Sequence, residues 1–106
     1  MRRKRKQPEH FREEIYLGGY RSGGILAEEF WQADGVVTKY SLAYIDLRLC
    51  QHDNGRVLGY DNAHGVHERH WMGKASPFEY QDYFKTRDQF QSEVEDLWRK
   101  HYGEDS

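Results

Sequence analysis

The chain has 106 residues, a formal charge of −2, one Cys, and 37% hydrophobic residues, with 15% of the chain aromatic. That length holds one small domain and excludes a second catalytic one. No apolar run approaches the roughly 20 residues that span a bilayer, and the basic N-terminus is not followed by the apolar stretch of a signal peptide, so a cytoplasmic protein with no membrane partner is expected.

Residues 1–24 read as a basic, Gly-rich, flexible segment preceding a single domain over 25–106. Arg2, Arg3, Lys4, Arg5 and Lys6 form an unbroken cationic run, and the rest of the chain carries 11 cations against 18 anions. Such a run reads as a solvated tail or as an arm for phosphate or an acidic partner. Pro8 and the sequence GGYRSGG at 18–24 favour irregular backbone, with room for a short element at 11–17.

From residue 25 the pattern sharpens. ILAEEFWQ at 25–32 leads to Asp34-Gly35, then VVTKYSLAYIDLRLCQ at 36–51 leads to Asn54-Gly55 and RVLGYD at 56–61. Asp-Gly and Asn-Gly between alternating runs favour tight hairpins, because a type I′ turn needs positive φ at both central residues. A three-stranded antiparallel meander is predicted. Along its long strand, Val37, Ala43, Ile45, Leu47 and Leu49 are expected to face the core. Tyr40, Leu42, Tyr44, Asp46 and Arg48 would then form the other face, either a half-exposed surface or a floor for substrate. Cys50 has no partner for an internal disulfide and is expected to be a small residue on a strand.

HGVHERHW at 64–71 supplies a predicted fourth strand and PFEYQ at 77–81 a short fifth. From Asp82 the period lengthens: Tyr83, Arg87, Phe90, Val94, Leu97 and His101, with Trp98 beside them, mark one face of a helix ending near Gly103. The predicted fold is therefore a two-layer α+β sandwich, an antiparallel meander sheet of four or five strands packed by a C-terminal amphipathic helix.

The chemistry concentrates in YDNAHGVHERH at 60–70. On a regular strand His64, Glu68 and His70 share one face, and His67, Arg69 and Trp71 the other. A cage of His64, His67 and His70 would need irregular backbone, and the spacing matches no common zinc pattern, so no metal and no cofactor is expected. Metal-free RNA cleavage asks for a base, an acid and a cation. His67 and His70 suit the first two roles and Arg69 or Arg48 the third, with Asp61 orienting an imidazole. The competing reading is that these groups are surface residues paired with Asp61, Glu68 or backbone.

KYSLAYID at 39–46, GRVLGYDNAHGVHERHWMG at 55–73 and the following PFEY with its terminal helix resemble the TumE-like toxins of prokaryotic toxin–antitoxin pairs. Tyr60, Asp61, Asn62, Gly65, His67, Arg69 and His70 match that pattern, whereas Glu68 stands where many members carry an imidazole. The resemblance implies a bacterial or archaeal toxin, possessing a cognate antitoxin that is often a helix-turn-helix protein, and acting as a small ribonuclease. In that setting His70, His67, Arg69, Asp61, His64 and Glu68 are the candidate catalytic residues. Tyr40, Tyr44, Arg48, Lys39 and Tyr60 are the candidate RNA contacts. The alternatives are a non-enzymatic module that binds the antitoxin or forms a homo-oligomer through its aromatic surface and, more weakly, a metal-binding regulator.

Overall fold

The computed structural model describes residues 9–103. It is an antiparallel sheet of six strands in the order β1-β2-β3-β4-β5-β6, a pure meander, with one helix on one face. The strands are β1 (Glu9–Tyr16), β2 (Ile25–Ala33), β3 (Val36–Ile45), β4 (Arg56–Asp61), β5 (Glu68–Trp71) and β6 (Lys74–Pro77), and the helix is α1 (Tyr83–Tyr102). The α+β architecture is as expected, with more strands.

The additional strand comes from the segment read as flexible. Glu9–Tyr16 pairs along its whole length with β2, so the sheet begins well before residue 25. The cationic run at 2–6 lies outside the described residues. β1 is an edge strand whose residues are all exposed, and its charges hide the alternation of Phe11 and Ile15.

Asp34 and Gly35 take φ of 53° and 77°, the positive values a two-residue hairpin needs. Met72 and Gly73 repeat this between β5 and β6, at 49° and 88°. Asn54-Gly55 does not close a tight hairpin. β3 stops at Ile45, and residues 46–55 form a compact connection closed by Asp46 N–H donating to Gly55 O at 2.8 Å. Cys50 is buried in that connection and not on a strand. Of the two later predicted strands, the first shortens to Glu68–Trp71 and the second moves forward to Lys74–Pro77.

The two faces of β3 are the reverse of the expected ones. Tyr40, Leu42 and Tyr44 lie under α1 with Leu58 and Tyr60 from β4, each at most 1% exposed, whereas Leu47 is 62% exposed. Tyr40 meets Tyr83 edge-on, Tyr44 meets Trp98, and Tyr60 meets Phe90. Large rings fill the gap between sheet and helix in a chain poor in aliphatics, and each phenol reaches a polar partner at the rim. Val37 still reaches the core, because the pairing skips Thr38 between Lys39 and Val37.

α1 starts where expected: Asp82 is its N-cap, accepting from Lys85 N–H at 2.8 Å, and Gly103 follows its end at φ 78°. Its buried stripe is Tyr83, Thr86, Phe90, Val94 and Leu97. Thr86 replaces the expected Arg87, which ion-pairs with Glu28 at 2.9 Å, and His101 is exposed.

Candidate functional site

The sheet face opposite α1 is covered by no other element among the described residues, and its side chains fall into cross-strand rows. One row runs Glu14, Ala27, Ala43, Gly59, His70 and Ala75; the next runs Arg12, Glu29, Ser41, Asp61, Glu68 and Pro77. His70 is thus flanked by small residues within its row and by two carboxylates in the adjacent one.

His70 is 9% exposed, and its Nε2 lies 2.9 Å from Asp61 Oδ2. The distance is that of an ion pair, but the direction is not that of a hydrogen bond, and Nε2 is buried with no hydrogen-bond partner. Direction decides this contact, because a buried polar atom gains from an acceptor only when the geometry is near-linear. Asp61 is otherwise well held: Oδ1 accepts from Ala63 N–H at 3.2 Å, and Oδ2 is 3.3 Å from Arg56 Nη1. Glu68 lies 3.6 Å from the Nδ1 of the exposed His64.

Arg56 was not legible as a member of this group. Strict alternation puts it on the face of Leu58 and Tyr60, but the pairing shifts at the start of β4. Tyr44 faces Leu58 and Ile45 faces Arg56, leaving Val57 as an extra residue. This bulge turns Arg56 onto the open face. Its stem then crosses Gly59, where a Cβ would sit 2.8 Å from Arg56 Cδ and push the stem aside. Arg56 Nε is also held by Asp53 at 2.7 Å.

Within β5, Glu68 and His70 point to the open face and Arg69 to the helix face, the division that strand parity requires. Arg69 bonds Tyr60 Oη at 3.1 Å and Glu93 at 2.5 Å. His67 lies on the helix side, stacked on Tyr80 at 3.9 Å, with Nδ1 2.9 Å from Tyr40 Oη. His67 and His70 are therefore on opposite sides of the sheet and do not act on one phosphate. Arg69 and Arg48 both lie away from His70, and the guanidinium that reaches Asp61 is that of Arg56.

The expected RNA contacts are mostly interior. Tyr40 and Tyr44 are buried, and Tyr44 Oη donates to Asp46. Tyr60 Oη donates to Glu93, another residue that sequence reasoning missed; burial and then that bond push the phenol up to about 12. Arg48 is exposed but clamps the buried Asp46 beyond the end of β3, away from Asp61, which pairs with Ser41. Lys39 alone is on the open face, its Nζ 4.9 Å from the Trp31 ring, which also stacks on His10.

The motif at 60–70 thus divides by physical role. Asn62 Oδ1 accepts from Tyr40 N–H and its Nδ2 donates to Thr38 O, both at 3.0 Å, so a side chain continues the ladder where β4 ends. Gly65 supplies φ 83° in the loop, and Tyr60, Asn62, Gly65 and His67 hold the fold. Asp61, Glu68 and His70 converge on the open face. Comparison with family models, curated proteins and solved structures finds no match for this chain.

Proposed function

We propose that this chain is the toxin of a toxin–antitoxin pair and cleaves RNA, without needing a metal, across the open sheet face. The observation that carries the reading is His70, buried between Asp61 and Glu68 with Nε2 lacking a hydrogen-bond partner, beside the guanidinium of Arg56. The YDN…G…H-x-R-H motif, which resembles that of TumE-like toxins, supports the same assignment, as does its placement of Asp61 and His70 in contact.

The chemistry follows from these groups. Glu68 takes the proton from a 2′-hydroxyl, whose oxygen attacks the adjacent phosphorus. The bond from phosphorus to the 5′-oxygen breaks as imidazolium His70 gives that oxygen a proton, leaving a 2′,3′-cyclic phosphate and a free 5′-hydroxyl. Arg56 neutralises the charge gathered on the phosphoryl oxygens. Asp61 lies against His70, and Lys39 beside Trp31, one row further along the face, contacts the RNA backbone.

Expression of wild type, His70→Ala and Glu68→Gln in a bacterium tests this. Wild type is expected to arrest growth and degrade RNA, and each variant to lose about a hundredfold in cleavage by purified protein. Equal arrest by wild type and both variants rejects the catalytic reading.

A second reading, a non-enzymatic antitoxin-binding or self-associating module, is favoured by one observation. On its β1 side α1 leaves two adjoining hollows that share Leu26 and Phe90, one also lined by Ile15 and Leu42 with Glu13, Glu28 and Arg87 at it, the other by Val94 and Trp98 with Glu95. Arrest that survives His70→Ala but is lost with Ile15→Asp favours that reading.

A further inference from the structure

The local charges around His70 do not balance. Asp61 and Glu68 bring two carboxylates, and among the described residues Arg56 is the one Lys or Arg ion-paired with either, its guanidinium shared with Asp53. His64, near Glu68, is exposed and lies at 3.6 Å. Asp61, Glu68 and His70 each bring one donor atom to within 4.8 Å of the other two, the one such His and carboxylate group among the described residues.

We infer that these three side chains bind a divalent transition metal, with Zn²⁺ the fitting ion, and that the bound metal holds the site inactive. This rests on the catalytic role assigned to His70 only for its second half. Two carboxylates and a neutral imidazole cancel the charge of a divalent ion, and one nitrogen with two oxygens is a donor set zinc takes, water filling the remaining position.

The off-line contact between His70 and Asp61 is the second observation. Donor atoms on one zinc with bonds of about 2.0–2.1 Å lie roughly 2.9–3.4 Å apart without pointing at each other. Nε2 and Oδ2 are 2.9 Å apart, and Nε2 is itself buried without a hydrogen-bond partner on a side chain 11% exposed. A hydrogen-bonded His–Asp pair would instead show the carboxylate in line with the N–H.

Occupancy and catalysis exclude each other at one atom. Nε2 has a single lone pair, so a metal there prevents it from carrying the proton that the leaving 5′-oxygen needs. Arg56 competes with the metal for Asp61 in turn. Removing its charge is therefore expected to tighten metal binding, an effect that damage to the fold would not produce.

Calorimetric titration of the purified full chain with ZnCl₂ tests the site directly. Wild type is expected to bind one Zn²⁺ per chain, His70→Ala and Glu68→Gln to bind at least tenfold more weakly, and Arg56→Gln more tightly. Melting curves without zinc establish that each variant is folded, and Glu68→Gln, on a partly exposed side chain, carries the test if His70→Ala is not. Failure of wild type to bind zinc, or equal binding by both ligand variants, overturns the site. In the RNA assay, zinc at ten times its dissociation constant is expected to slow cleavage about tenfold and EDTA to restore it; cleavage unchanged or raised by bound zinc overturns the inactivating role. Zinc binding by a protein that cleaves no RNA under any condition upholds the site and rejects the ribonuclease. RNA cleavage by a protein that binds no zinc does the reverse.

Discussion

Asp46 is fully buried yet charged. Burial alone pushes its carboxyl up, but bonds from the Arg48 guanidinium, Tyr102, Tyr44 and the Arg48 backbone N–H together outweigh it and hold the group at about 2, below an ordinary 3.8. A folded-state value below the unfolded one stabilises the fold at any pH above about 4, and that contribution, on the order of 2 kcal/mol, fades as pH falls toward about 2. Urea unfolding from pH 5 to pH 2 is expected to show this loss in wild type and a flatter profile in Asp46→Asn, which is less stable at pH 7. Asn62 has an equally local task. Asn62→Ala strips a partner from the Tyr40 N–H and from the Thr38 carbonyl and is expected to cost about 1–3 kcal/mol in the same measurement, whereas Asn62→Asp keeps the acceptor and costs less.

At the scale of elements, the bulge at the start of β4 decides what the open face can do. It places Arg56 beside Asp61, and Gly59 keeps the way clear. A Cβ at residue 59 would meet Arg56 Cδ at 2.8 Å and the Leu42 carbonyl oxygen at 3.0 Å. The side chain can yield and the backbone cannot, so Gly59→Ala is expected to destabilise by about 1–3 kcal/mol and to displace Arg56, and to lower the proposed RNA cleavage by more than the loss of folded protein explains. α1 is bounded by local signals. Asp82→Ala removes the acceptor at its N-cap and is expected to cost about 1 kcal/mol by thermal or chemical unfolding.

For the whole molecule, one helix lies over the centre of a six-stranded sheet, and both sheet edges extend past it as exposed strands. The core is consequently narrow, and Phe90, 4% exposed beside Tyr60, is among the few side chains joining the layers. Phe90→Ala is expected to cost about 3–5 kcal/mol, a large part of what a domain of this size holds, with loss of cooperative unfolding as the readout. No helix in the described residues is long and apolar enough to cross a membrane.

Short-range chemistry was readable from the chain itself. Asp34-Gly35 required positive φ, Asp82 and Gly103 bounded a helix, and alternation within 68–71 separated Glu68 and His70 from Arg69 and Trp71, because each of these depends on a few neighbouring residues. Which side of β3 the helix covers was not readable, since Tyr40 and Tyr44 on one side and Ala43 and Ile45 on the other are both apolar enough to be buried. Only packing showed that rings, with their hydroxyls satisfied by His67, Asp46 and Glu93, fill the layer. β1 showed only as room for a short element at 11–17, because an edge strand is exposed on both faces and carries little hydrophobic signal. Arg56 escaped because one extra residue, Val57, reverses its side chain relative to those that follow, and that insertion exists only in the pairing with β3. Local sequence therefore determined the turns, the caps and the parity of each strand. The tertiary structure alone decided which face stayed open and which charges met there, since both depend on contacts between residues distant along the chain.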